Sequence, residues 1–424
     1  MAEAMIIPYG GVGEVGGNKF LLVDGRARLL LDFGKCFAKW NRFYDFPFTM
    51  PGREREDFAE LLSLGLIPEA KGFLKGLYTE GLPGRPVDRS KERRTEIQAC
   101  LVSHVHSDHM GYLALLNRRI KAYVSEAAWR VARAYFEHAT VRTVEDDISG
   151  FEAGDNVVAF RGDVTRLRGL PLPVTAIAVD HSVPGSYAFL VETSAGLIAY
   201  TGDIRWHGPY REGTDRFVKM ARGADYLLCD STHVDQGDVR GEMDVRELLG
   251  RAMETYGPLV VNVSSIDTDR ISTIYEAAAR LGRRVVLSIK IASALSRLDG
   301  LGIRNFPRLR DMLVYSRTKR APYVWEVGFL GRPPRGYDSF EGYVEKLRSL
   351  EGKRAGRALK VVEREREYGR KYGGTLGPED VLRRPNDYVL VTSFGSTAEL
   401  RDIFRAGGPG CLRGGAYVQS ASEP

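Results

Sequence analysis

Ser103-His104-Val105-His106-Ser107-Asp108-His109 sets three imidazoles and a carboxylate within a few residues of one another. The whole chain has only seven histidines. Such a concentration argues against an ordinary polar surface loop and for a metal site. Imidazole and carboxylate suit zinc, with Zn–N near ~2.0 Å. His104 and His106 alternate along an extended backbone, so both can face one side. Asp108 and His109 follow where the chain turns and can aim at a second point. That geometry fits two ions roughly 3.5–4 Å apart. Two later stretches carry further metal-capable groups. These are His181, in His181-Ser182-Val183-Pro184-Gly185-Ser186, and Asp203, in Thr201-Gly202-Asp203-Ile204-Arg205. His207 and His233 stand near these motifs and read as substrate contacts rather than ligands. His138 has no partner in sequence and reads as structural.

The elements that must position these residues are short apolar runs. Ala99-Cys100-Leu101-Val102 reads as a buried strand handing over to a helix-permissive segment, residues 110–116. Residues 174–180 and 197–200 read as strands that end just before His181 and Asp203. Strand ends on one sheet edge converge, so the three pieces can form one site. Residues 6–9 and 19–23 read as strands around Gly10-Gly11-Val12-Gly13-Glu14-Val15-Gly16-Gly17-Asn18, where glycine frees the backbone for close approach. A strand follows this run, so it fails as a dinucleotide fingerprint. It reads instead as a loop at the rim of the metal site. The strand at 28–33 ends at Asp32-Phe33-Gly34. Asp32 either orients the histidine loop by hydrogen bonds or is an ordinary turn aspartate; spacing does not separate the two.

Residues 35–95 read as an insertion with clustered aromatics (Trp40, Phe43, Tyr44, Phe46), a leucine-rich stretch at 58–66 and a basic tail at 87–94. It is either a lid or a peripheral packing element. A strand at 121–125, a helix at 126–139 and strands at 157–160 and 226–229 follow, the last ending at Asp230-Ser231-Thr232. From about 240 the texture changes. Helices at 245–256 and 270–281 alternate with strands at 259–263 and 283–289, which means a parallel sheet with crossover helices. Residues 340–370 are highly charged and mostly helical, reading as a solvated helix or as one whose arginines face a phosphate backbone. A strand at 388–392, a helix at 397–404 and a strand at 416–419 complete the chain.

A chain of 424 residues, 43% hydrophobic and 27% charged, is expected to be globular with two domains. It has no apolar run long enough for a membrane span, and its N-terminus does not read as a signal peptide. The four cysteines lie far apart and imply no disulfide framework, so a reducing, cytoplasmic setting is expected. A net charge of +6 leans toward an anionic partner such as nucleic acid. A homodimer is compatible with all of this.

His104-x-His106-x-Asp108-His109, with His181 and Asp203 downstream in this order, resembles the metallo-β-lactamase superfamily. The resemblance implies an α/β chain whose residues 1–239 form a four-layer αββα domain, with 35–95 as an insertion. The glycine-rich opening, Leu31-Asp32-Phe33-Gly34, the His181 motif and the Asp203 motif look similar to ribonuclease J and its archaeal relatives, of the β-CASP nuclease family. Asp230-Ser231-Thr232 resembles the acidic motif that opens the β-CASP insert. Residues 240–424 would then be that inserted α/β domain. Ser264, Ser265 and Arg270, in Ser264-Ser265-Ile266-Asp267-Thr268-Asp269-Arg270, resemble the insert's serine-containing turn and would hold a phosphate with the helix N-terminus. A plain N-cap explains the same residues equally well.

Family members continue past the stretch resembling Ser420-Ala421-Ser422-Glu423-Pro424 and supply two more histidines. Neither is present here, so a truncated, split or inactivated chain is expected, with low activity. The implied activity is zinc-dependent phosphodiester hydrolysis of RNA, exo- or endonucleolytic, with DNA as the alternative polymer. His104, His106 and His181 would hold one zinc and Asp108 and His109 a weaker second one, with Asp203 bridging. Asp108, Asp203 and Asp230 would be the catalytic carboxylates, Asp230 lacking the histidine it normally orients. Two rivals remain: a small-molecule hydrolase of lactonase or thioesterase type, and a non-catalytic RNA-binding relative. The length after Asp203 opposes the first and the intact histidine motif opposes the second.

Overall fold

The computed structural model describes residues 4–44, 58–79, 92–138, 148–232, 234, 241–315, 340–349, 359, 370–393 and 398–420. They fall into two compact units, Met1–Val239 and Arg240–Glu423.

The first unit is built on two sheets. One has six strands in chain order: β1 (Met5–Gly10), β2 (Lys19–Asp24), β3 (Ala27–Leu31), β4 (Ala99–Leu101), β5 (Lys121–Ser125) and β6 (Val157–Phe160). β1 to β3 pair antiparallel, and β3 to β6 run parallel. The other holds β7 (Val164–Leu167), β8 (Val174–Ala178), β9 (Tyr187–Thr193), β10 (Gly196–Tyr200) and β11 (Tyr226–Leu228), with β11 at one edge beside β10. Strand period decides the layering. Phe20, Leu22, Leu29, Leu31 and Leu101 pack on Val174, Ala176, Phe189, Val191 and Ile198 of the second sheet. Their neighbours Leu21, Val23, Leu30, Cys100 and Val124 face outward, against Ala128, Trp129 and Ala132 of α4 (Glu126–His138). The second sheet's outer face, Ile177, Ala188, Leu190 and Ala199, is covered by Phe217 of α5 (Arg211–Ala221). The layers therefore run helix, sheet, sheet, helix.

Between residues 35 and 95, the described part contains helices α1 (Phe37–Tyr44) and α2 (Phe58–Ser63). Leu61, Leu66, Ile67, Leu74, Leu77 and Tyr78 are buried in the outer core of the first sheet. For these residues the packing role is the observed one; 45–57 and 80–91 lie outside the described residues.

The second unit is a six-stranded parallel sheet in the order β15 (Thr375–Leu376), β14 (Leu313–Tyr315), β13 (Arg284–Leu287), β16 (Tyr388–Ser393), β12 (Leu259–Val263), β17 (Ala416–Gln419). Val261, Val263, Val285, Leu287, Val389 and Val391 pack against α6 (Glu242–Thr255), α7 (Thr268–Arg280) and α8 (Ile289–Leu298). Val260, Val286, Leu313 and Leu390 face Val381 and Ile403, from helices at Pro378–Arg383 and Ala398–Gly407. The expected strand at 283–289 stops at Leu287, because the chain turns at Ser288 into a helix that sequence reading did not separate from it. Of the charged stretch at 340–370, Phe340–Ser349 is helical.

Candidate metal centre

Three strand ends of the first unit deliver the site. After β4 the chain stays extended to His106 (φ −62°, ψ 148°) and then turns into the short helix α3 (Ser107–Met110), which carries Asp108 and His109. His181 follows β8 and Asp203 follows β10. One atom from each of His104, His106, His181 and Asp203 lies within 4.8 Å of the other three, and His104, Asp108 and His109 form a second such group. The Nδ1 atom of His106 is 3.1 Å from His104 Nε2 and 3.0 Å from His181 Nε2. The two oxygens of Asp203 divide between the groups. Oδ2 is 3.7 Å from both His104 Nε2 and His181 Nε2, and Oδ1 is 2.9 Å from His109 Nε2. All six residues singled out for metal from the sequence are thus brought together.

The electrostatics are those of a ligand set. Burial, reinforced by neighbouring imidazoles, pushes His104 and His181 well below the ordinary histidine range. Burial also lowers His106, against the pull of Asp108 and Asp203. Burial alone would raise Asp203, but the facing imidazoles, His109 first, outweigh it and hold the carboxyl well below the usual range. Burial raises Asp108, with Asp203 adding to it. At His109 burial is outweighed by Asp203 and Asp32, which lift it well above an ordinary histidine. Three neutral rings and an ionised carboxylate therefore aim lone pairs at one region. A divalent cation accepts all four at once, whereas hydrogen bonds among them can use only some. The residues present fit such an ion.

A tight frame holds these side chains. Asp32 is fully buried and has a left-handed backbone (φ 57°), which aspartate tolerates better than most residues. Its Oδ1 accepts from the Ser103 N–H at 2.7 Å. Its Oδ2 accepts from Ser103 Oγ at 2.7 Å and from the Tyr200 hydroxyl at 2.5 Å, and lies 2.7 Å from His109 Nδ1. Engaging Nδ1 turns Nε2 of His109 toward Asp203. Burial, with Asp32 close by, keeps the Tyr200 hydroxyl protonated far above its ordinary range. The backbone N–H groups of Phe33, Lys35 and Asn18 donate to the carbonyls of His109, Ser107 and Asp108. The approach is so close that a Cβ on Gly34 would lie 1.6 Å from the Asp108 carbonyl oxygen. One on Gly16 would lie 2.8 Å from Asp108 Cβ. The glycine-rich loop therefore packs directly on the site, and Asn18 Nδ2 is 2.9 Å from His109 Nε2.

Of the two readings of Asp32, hydrogen-bonded support of the histidine loop is the observed one. Sequence reading missed Ser103, Tyr200 and Asn18 as participants. Ser103 adjoins the cluster and could have been found. Tyr200 is 168 positions from Asp32, and no local pattern marks it.

Other candidates lie elsewhere. Asp230 is outside both ligand groups; its Oδ1 accepts from the Thr232 N–H at 2.9 Å and its own N–H donates to Thr201 Oγ1. His207 is exposed on the loop after Asp203. His233 and the side chain of His138 are outside the described residues. In the second unit Ser264 is half-buried and Ser265 buried, at the turn into α7. Asp267 caps that helix by accepting from the Arg270 N–H at 3.0 Å. The Arg270 guanidinium is held by Glu242 (Nη2–Oε1 2.8 Å) and donates to Ser420 Oγ at 2.5 Å.

Comparison with known proteins adds kinship to this geometry. Residues 76–262 match the family model of the beta-lactamase superfamily domain. A Ribonuclease J of Sinorhizobium meliloti is 28% identical over 321 residues, 72% of this chain and 49% of its own length. Ribonuclease J 2 of Streptococcus pyogenes is 25% identical over 355 residues, 78% of this chain and 55% of its own. The chain thus spans about half the length of these curated relatives. A crystal structure of a protein of unknown function from Enterococcus faecalis shares the fold, with a TM-score of 0.62 at 17% identity over 100% of this chain and 88% of that one.

Proposed function

We propose that the chain, whose residues 76–262 match the beta-lactamase superfamily domain, is a metallo-β-lactamase superfamily member and a zinc-dependent phosphodiesterase acting on RNA. The observation that carries this reading is the convergence of His104, His106, His181 and Asp203, with Asp108 and His109 alongside. Similarity to proteins named Ribonuclease J supports RNA as the polymer. In this reading His104, His106 and His181 hold one zinc, Asp108 and His109 hold a second, and Asp203 spans both. Ions held by these residues would supply Lewis acidity toward water and toward charge developing on the phosphoryl oxygens. The chain's own contribution is preorganisation. Burial keeps the imidazoles of His104, His106 and His181 neutral and ready to donate. Asp32 fixes the ring of His109, and Asp203 stays ionised between the groups.

The second unit is read as the β-CASP domain, with Ser264 and Ser265 as phosphate contacts. Arg270 contributes through its ties to Glu242 and Ser420 as well as through its charge. Asp230 is read as the third catalytic carboxylate, held just after β11 by its hydrogen bonds to Thr201 and Thr232. The second zinc is the weaker, because Asp108 and His109 offer it fewer donors than the first group. The four cysteines are unpaired, which supports a reducing, cytoplasmic setting. Among the described residues no helix is long and apolar enough to cross a membrane.

Metal analysis of the purified protein, with cleavage of 5′-monophosphorylated single-stranded RNA and DNA of matched sequence, tests the proposal. It predicts at least one tightly held zinc and metal-dependent cleavage that prefers RNA. Protein that holds no zinc, or that hydrolyses lactones or thioesters but neither polymer, would sink it.

A further inference from the structure

His181 and Asp203 sit on different loops, and nothing in the ligand set itself fixes the distance between those loops. The residues beside them do. Asp180, which precedes His181, is buried at 1% exposure. Its Oδ1 lies 3.2 Å from Nε of Arg205, two residues past Asp203. Its Oδ2 accepts from the Gly208 N–H at 2.8 Å, and its carbonyl accepts from the Arg205 N–H at 3.0 Å. Thr214, fully buried near the start of α5, closes the circuit. Its Oγ1 accepts from the Asp180 N–H at 3.0 Å and donates to the Arg205 carbonyl at 3.0 Å. The packing leaves no slack, since a Cβ on Gly208 would stand 2.4 Å from both Asp180 Oδ1 and the Arg205 guanidinium.

We propose that Asp180 and Arg205 are a positioning pair that sets the spacing of His181 and Asp203 and so the affinity of the first metal site. Neither is a ligand. The inference rests on the reading of this cluster as a zinc centre. Two features distinguish the pair from general packing. Both residues join the two loops through main chain and side chain together. Each also stands within two positions of a ligand, so a shift of the buckle is delivered directly to the site. The charges matter as well: the Arg205 guanidinium lies close enough to act on His181, and Asp180 offsets it.

The test is zinc titration of metal-stripped protein against a chromophoric chelator, with cobalt in place of zinc as a spectroscopic report of coordination. Asp180→Asn keeps the shape and removes the charge. It should weaken the first zinc about 10–100-fold, the range expected when hydrogen-bonded support of a ligand is lost, and alter the visible cobalt spectrum. Arg205→Lys keeps the charge without the planar fork and should weaken zinc less. It carries the same test if Asp180→Asn does not fold. Thermal melting of the metal-stripped variants provides the control. Unchanged zinc affinity and cobalt spectrum in both variants overturn the pairing, as does loss of affinity that only tracks loss of apo-protein stability. The reading of the centre is checked in parallel: if His106→Ala leaves zinc binding of the otherwise unaltered protein intact, the centre is misassigned and the pairing falls with it.

Discussion

Two sets of strand ends in this molecule carry clustered polar groups, and they differ in how those groups are satisfied. In the second unit, at the ends of β12 and β16, the side-chain donors of Asn262, Arg270 and Thr273 find acceptors. Asn262 donates to Thr392 Oγ1 and the Ser393 carbonyl, and Arg270 to Glu242 and Ser420. Thr273 adds a hydrogen bond to the same Glu242 carboxylate. In the first unit, at the ends of β4, β8 and β10, each neutral imidazole brings only one N–H, and the cluster has fewer donors than acceptors. Ring nitrogens of His104, His106 and His181 point at one another and at Asp203. Paired donors and acceptors make structure. Converging lone pairs without enough hydrogens make a cation site, because burying them unpaired is costly.

The comparison breaks most readily at the convergent cluster. His106→Ala or Asp203→Ala should abolish tight zinc binding at the first site and cut RNA cleavage by at least about 100-fold, the scale seen when a charge-stabilising group is removed. Melting of the metal-stripped protein should change little for His106→Ala, which relieves crowding among the rings, and should fall for Asp203→Ala, which removes the carboxylate that faces His109. Metal content per chain and single-turnover cleavage are the measurements. Retention of both in either variant would place the chemistry elsewhere.

The next effect comes through Asp32. Asp32→Asn leaves a carboxamide where Ser103, Tyr200 and His109 all approach a carboxylate, and should lower zinc affinity about 10–100-fold. Tyr200→Phe removes one hydrogen bond to that carboxylate. It should cost about 1.5–3 kcal/mol of stability with a smaller loss of metal. Chemical denaturation and zinc titration separate the two. A Tyr200→Phe protein that loses metal as severely as Asp32→Asn would mean that the hydroxyl does more than orient the carboxylate.

How far the sequence carried this picture follows from range. The ligands were legible because their residue types are rare here and their spacing is local or tied to strand ends. The layering was legible only through the family resemblance: Phe20 to Val23 and Leu29 to Leu31 are apolar throughout, and it is the fold that divides them between two faces. Asp32 was legible only as one of two options, since its partners come from 71 and 168 positions away. Residues 35–95 looked equally like a lid or a packing element, because buried leucines and a leucine-lined flap have the same composition. α8 escaped because an apolar strand, a serine and an apolar helix run together without a break in hydropathy.

In the second unit the same contrast predicts a structural outcome. Arg270→Ala and Glu242→Gln should each destabilise, and the double variant should cost less than their sum, with a coupling of about 2 kcal/mol. Zinc content should be unchanged in all three. Full additivity would mean that the guanidinium is not committed to Glu242, which would leave it available as a phosphate contact.

The smallest effect is on pH, and it separates the units because no histidine occurs after His233. His104, His106 and His181 have depressed pKa values in the folded, metal-stripped protein. As pH falls below the unfolded value of about 6.5, the unfolded chain takes up protons that these folded rings refuse, and stability is lost. His109 behaves oppositely: its raised pKa gives stability that is fully present below about 6.5 and lost only as pH rises through the folded value. His109 and Asp108, both raised, take up protons more readily in the folded protein and oppose this trend, but the three depressed rings outnumber them and set the sign between pH 6.5 and 5. Urea melts of metal-stripped protein should therefore show the first unit weakening by roughly 1 kcal/mol or more per pH unit over that window. His106→Ala should reduce the slope. A flat profile would mean that the three rings already carry protons, and lone pairs occupied by protons would not explain why this cluster differs from the one at the ends of β12 and β16.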